Sequence, residues 1–138
     1  MPFKYYIDAN INCILLKHSE SMEMEEFNIH FQMVFEDTRH AGDMNILRDC
    51  SEAGLSTELT WERMTTTTKE RMEFYNKKFG SCNVARVVHD AKDYARIHQY
   101  LVSDRLNHRA VQRRNFRDMA ETRRWLEITD DYVFNYPD

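Results

Sequence analysis

The sequence predicts an α/β fold with a mostly parallel five-stranded sheet in the order ββαβαβαβα. Three observations carry this. Apolar residues switch repeatedly between a spacing of two and a spacing near 3.6, so strand-like and helix-like segments follow one another. The later strand-like segments are separated by stretches long enough for the helical crossovers that parallel strands require. With 3 Gly and 2 Pro in 138 residues, the chain has little of the turn material of a β-sandwich or of a Gly-rich nucleotide loop.

Lys4–Asp8 and Ile11–His18 are β-rich and are joined by Asp8-Ala9-Asn10, which predicts a hairpin with the first strand as an antiparallel edge. Ser19 and Ser21 open a helix to about Asp37, with Met24, Phe27, Phe31, Val34 and Phe35 as its apolar stripe. Gly42-Asp43 breaks the chain before a strand over Met44–Asp49, and Ser51–Thr60 reads as a polar loop. A helix over Trp61–Phe79 places Trp61, Met64, Thr68, Met72, Tyr75 and Phe79 on one face and ends at Gly80-Ser81. Cys82–His89 is the clearest strand, and Asp90 caps the helix after it. Arg109–Phe116 is a last, more polar strand, and Asp118-x-x-Glu121 has the form of a capping box opening a short helix with Trp125 and Leu126. The domain covers residues 1–128, and residues 129–138 form an acidic, aromatic tail without a predicted element.

Composition excludes several function classes. At 16.7 kDa, 42% hydrophobic and 30% charged, the chain can bury a sizeable core, so disorder and a metal-dependent miniprotein are both excluded. The net charge of −4 and a pI near 5.9 exclude a generically basic nucleic-acid binder. The longest apolar run, Ile14-Leu15-Leu16, is strand-sized, so no integral membrane segment and no signal peptide are expected. Cys13, Cys50 and Cys82 show neither CxxC nor zinc-site spacing, and read as reduced thiols in a cytoplasmic protein. No cofactor is indicated.

Charge is unevenly spread. Residues 1–60 hold 4 basic and 11 acidic side chains, a net of −7. Residues 96–128 hold eight arginines against four acids, a net of +4, a polarity that can steer a partner, an anionic molecule or a second copy of the chain. The aromatics of that basic segment, Phe116 and Trp125, are assigned to the core, so nucleic acid is not an expected partner. Arg48, Arg86 and Arg113 fall one on each of three successive strands. Strict alternation groups Arg86 with Val84 and Val88, and Arg113 with Val111 and Asn115. Strands buried on both faces are ordinarily near-continuously apolar, so the arginines predict a partly covered face that serves as an interface or as the floor of an anionic ligand site.

The hairpin Tyr5–His18, the step Met44-Asn45-Ile46-Leu47-Arg48-Asp49, the strand Asn83–Val88 and the close Phe116-Arg117-Asp118…Trp125-Leu126 resemble the SpoIIAA-like group, relatives of the STAS domain (sulfate transporter and anti-sigma-factor antagonist). The resemblance spans nearly the whole chain. It implies successive βα units wound in one direction, and a non-enzymatic regulatory domain acting through protein–protein contacts, with a homodimer among the possible pairings. In phosphorylatable members an Asp, a small residue and a Ser precede a Gly at the end of the third strand. Here the stretch is Asp49-Cys50-Ser51-Glu52-Ala53-Gly54, which matches at Asp49 and Ser51 and implies Ser51 as a phosphorylation site, with Glu52-Ala53 displacing the Gly. Lipid-carrying domains of the broader superfamily imply the alternative, a carrier or sensor of a lipid-like or anionic small molecule.

Ligands of parallel α/β sheets favour the crevice beyond the carboxyl ends of the strands. His18, Asp49, Ser51 and His89 are expected at that edge, beside Arg48, Arg86 and Arg113. No metal site is assigned, because His18, Asp49 and His89 come from three separate segments with no ligand spacing between them. No catalytic residue is assigned either, because no nucleophile-elbow sequence surrounds Ser51.

Overall fold

The computed structural model describes residues 3–18, 32–37, 39, 41–52, 77–78, 80–92, 94–95 and 111–137. Strands β1 (Phe3–Asp8), β2 (Cys13–His18), β3 (Asn45–Cys50), β4 (Cys82–Val88) and β5 (Val111–Phe116) form one sheet in chain order. β1 pairs antiparallel with β2, and every later pair is parallel. The α/β class and the antiparallel edge strand are therefore as the sequence predicts. Helix α1 (Met119–Leu126) follows β5, and residues 32–36, 77–78, 91–92 and 94–95 are also helical. These last four stretches fall within the three earlier predicted helices, whose remaining residues lie outside the described ones, as does most of the Ser51–Thr60 loop.

Local chemistry explains the boundaries. β2 starts at Cys13 rather than Ile11 because Asn12 adopts φ 50°, a left-handed conformation that Asn tolerates, and its N–H closes a turn onto the Ala9 carbonyl at 3.2 Å. The amino ends of the parallel strands are tied by short polar contacts. Asn12 Nδ2 donates to the Asp43 carbonyl at 3.2 Å, and Asp43 Oδ1 accepts from the Ser81 N–H at 2.6 Å. Asn45 Oδ1 accepts from the Asn83 N–H at 2.9 Å. Gly80 stands against Asp43 with φ +75°, and a β-carbon there would collide with the Asp43 carboxylate. Asp118 caps α1 by accepting from the Ala120 N–H at 2.8 Å. At the other end Glu127 takes φ 60°, and the N–H groups of Glu127 and Ile128 reach the Arg124 and Arg123 carbonyls, a Schellman closure.

Alternation along the strands gives the sheet two distinct faces. One carries Ile7, Ile14, Leu16, Ile46, Val84 and Val111, packed with Met44, Val34 and Phe35. Arg48, Arg86 and Arg113 share this face, called here the arginine face. The other carries Leu15, Leu47 and Ala85, each fully buried beneath Phe116, Leu126 and Ile128. Burying each leucine there contributes about 2 kcal/mol.

Residues 128–137 complete that second face as an extended strap. Tyr132, Phe134 and Tyr136 turn toward the sheet, whereas Val133, Asn135 and Pro137 face outward. Tyr132 Oη donates to Asp8 Oδ2 at 2.9 Å, which leaves it to accept from Tyr6 Oη at 2.8 Å; Tyr6 Oη in turn accepts from the Asn135 N–H at 3.1 Å. The hydroxyls thus form one directed chain between the first strand and the last residues. Burial and the neighbouring Tyr6 and Asp8 hold the Tyr132 phenol far above its ordinary pKa.

The three cysteines are free and buried. Burial pushes the Cys13 thiol up to about 12 and the Cys82 thiol to about 11, and raises that of Cys50. Among the described residues no helix is long and apolar enough to cross a membrane.

Candidate anion site

The carboxyl half of the arginine face is polar where its amino half is apolar. In register across three adjacent strands stand Arg48 on β3, Arg86 on β4 and Asn115 on β5, with Leu16 of β2 completing the row. Neighbouring strands lie about 4.8 Å apart, so these side chains rise side by side. Arg113 precedes Asn115 by two residues and shares its face, beside Val84. His18 closes β2 on the same face, with its Nε2 3.5 Å from Arg48 Nη2. Arginine has no acceptor, so His18 Nε2 takes the accepting side of that contact.

These groups are enclosed. His18 is 1% exposed, Arg48 3%, Arg113 8% and Asn115 5%, while Arg86 is half-buried. The partly covered face expected from the arginines is corrected accordingly: the row lies inside the molecule. Strand alternation identifies which residues share a face but carries no information about what covers that face. Enclosure weakens the reading of these arginines as an open protein-docking surface and leaves the ligand-floor reading intact. Charge from Arg48 and Arg86 reaches Cys50, where it opposes the larger upward effect of burial on the thiol.

The other predicted residues are placed elsewhere. Asp49 turns to the opposite face, in register with Lys17. It is bound into its own loop, accepting from Ser51 Oγ at 2.6 Å and from the Ser51 N–H at 3.0 Å. Ser51 is exposed, and Glu52 beside it pairs with Lys17 at 3.5 Å. His89 is exposed after β4, and its carbonyl accepts from Arg117 Nη2 at 3.3 Å. His18, Asp49 and His89 therefore do not converge. No metal-holding group of His, Cys, Asp or Glu occurs among the described residues.

Asn115 is the member of the cluster that the sequence reading leaves unassigned, although alternation had put it beside Arg113. Its signal is the placement of an amide at a buried strand position otherwise suited to a branched apolar residue. Neither its oxygen nor its nitrogen has a hydrogen-bond partner among the described residues.

Comparison with protein-family models, with curated proteins and with solved structures finds no match.

Proposed function

We propose that the chain is a non-catalytic binding domain that takes a small polyvalent anion at the carboxyl edge of its parallel strands. The observation that carries this is the row Arg48–Arg86–Asn115, with Arg113 and His18 beside it, on one enclosed sheet face. Guanidinium groups at such positions cost stability that leucine or methionine would not, and they supply forked donors matched to an oxyanion. The location is the one where open α/β sheets commonly bind ligands.

Thermal unfolding in phosphate or sulfate, against chloride at equal ionic strength, tests the reading. A saturable rise in Tm is expected, equivalent to about 2.7 kcal/mol at one hundred times the dissociation constant. The rise should be lost in Arg48→Met and Arg86→Met. A Tm that follows ionic strength alone, whatever the anion, removes the proposal.

A STAS-like regulatory role in the cytoplasm, exerted through a protein partner, is the second proposal. The strict succession of the parallel strands β2 to β5 supports it, as does the exposure of Ser51 at the end of β3. Mass spectrometry of protein isolated from its own cells checks it, with one phosphate on Ser51 as the supporting result.

A further inference from the structure

Resting on the anion reading above, we infer that the ligand brings a hydrogen-bond donor of its own beside its anionic oxygens, which makes it an oxyanion of the phosphate class bearing a P–OH group rather than a fully deprotonated one such as sulfate. The argument turns on Asn115. Its side chain is 5% exposed and stands in register with Arg86, yet its Oδ1 and Nδ2 are both without a hydrogen-bond partner among the described residues. Buried amides are ordinarily satisfied at both ends, so an amide open at both marks a place for another molecule.

The two ends ask for different things. Nδ2 offers hydrogens and Oδ1 only accepts. Arg48, Arg86 and Arg113 are donors without exception, so an anion seated among them meets the guanidiniums and Nδ2 with its oxygens. Oδ1 then faces the same molecule and needs a hydrogen from it. Phosphate at neutral pH keeps at least one P–OH for that purpose, whereas sulfate has none and would press a lone pair against Oδ1. Rotating the amide by half a turn exchanges the two ends and leaves the requirement unchanged. Leaving a buried acceptor unmet disfavours sulfate by about tenfold or more.

A phosphomonoester headgroup offers the same P–OH only in its monoanion, the form it holds below a second pKa of about 6. Arg48 and Arg113, at 3% and 8% exposed, lie too deep for a headgroup held in a bilayer, which favours the free anion.

Calorimetric titration of the full chain at pH 7 with inorganic phosphate, with sulfate, and with phosphatidylcholine vesicles containing phosphatidate tests the inference. Phosphate is expected to bind about tenfold or more tighter than sulfate, and the vesicles no better than phosphatidylcholine alone. In Asn115→Leu, which keeps the branching and removes both polar ends, the preference should fall toward unity; Asn115→Ala carries the same expectation if the leucine variant does not fold. Equal affinities in the wild type, or a preference that survives the substitution, overturn the inference and leave the anion reading standing. Saturable binding of neither the free anions nor the phosphatidate vesicles overturns both, and binding confined to the vesicles overturns the assignment to a free anion.

Discussion

Arg123 grips the strap on two sides of its path: the guanidinium carbon lies 4.5 Å from the centroid of the Phe134 ring, while Nη1 donates to the carbonyls of Thr129 at 3.0 Å and Tyr132 at 2.8 Å. A flat, forked cation can stack and donate at once, and a lysine ammonium cannot reproduce both. Arg123→Lys is expected to lower stability by about 1–2 kcal/mol in urea unfolding, although the charge is kept.

The strap's aromatic anchors differ in what they supply. Tyr136 gives mainly packing, so Tyr136→Ala should cost about 2–3 kcal/mol and raise binding of a hydrophobic dye as Leu15 and Leu47 lose cover. Tyr132→Phe keeps the ring and breaks the hydroxyl chain between Asp8 and Tyr6. About 1 kcal/mol is expected there, with dye binding unchanged.

Glu127 closes α1 at φ 60°, where a β-carbon is unfavourable. Glu127→Gly should therefore stabilise the chain by about 1 kcal/mol, read as a higher urea midpoint at constant slope.

Gly80 shows the reverse case. Its φ of +75° and the Asp43 carboxylate leave no room for a side chain. Gly80→Ala is expected to destabilise by more than about 1 kcal/mol. Asp43→Asn in the same background should recover little of that, because the added amide is no smaller than the carboxylate it replaces.

Asp37 gives the stability a pH dependence of known sign. Hydrogen bonds from Arg39, and then from Tyr5 at 2.8 Å, hold its carboxyl well below the usual carboxylate range. A lowered pKa contributes stability above about pH 4, where the carboxyl of the unfolded chain is ionised, and loses it as pH falls toward the folded value. The Tm difference between wild type and Asp37→Asn should be largest above about pH 5 and shrink toward pH 2. Since the Arg39 side chain is 58% exposed, solvent and salt screening hold the increment to about 1 kcal/mol or less.

The strands were legible because each residue's neighbours two positions away share its face, a constraint that needs no knowledge of the rest of the fold. The pattern over Lys4–Asp8 and Cys82–His89 and the cap Asp118 match the observed elements to within a residue. The grouping of Arg113 with Asn115 followed from the same rule. Covering layers were not legible in this way. The aromatic alternation Tyr132, Phe134, Tyr136 was visible, but an extended segment without a strand partner has no turn signals or ladder to announce it. Asp49 and Ser51 were drawn toward the site by their position at a strand end, whereas one step of alternation puts Asp49 on the far face.

The strap also sets an order on the making of this protein. Tyr6 and its partner Tyr132 are 126 residues apart, and chains leave the ribosome amino end first. All five strands and α1 can be translated while Leu15, Leu47 and Ala85 still lack the aromatic side chains that finish their cover. A reading frame interrupted after Ile128 would thus yield a chain with every strand present and a bare apolar face, a natural substrate for chaperones and proteases rather than a shortened working protein.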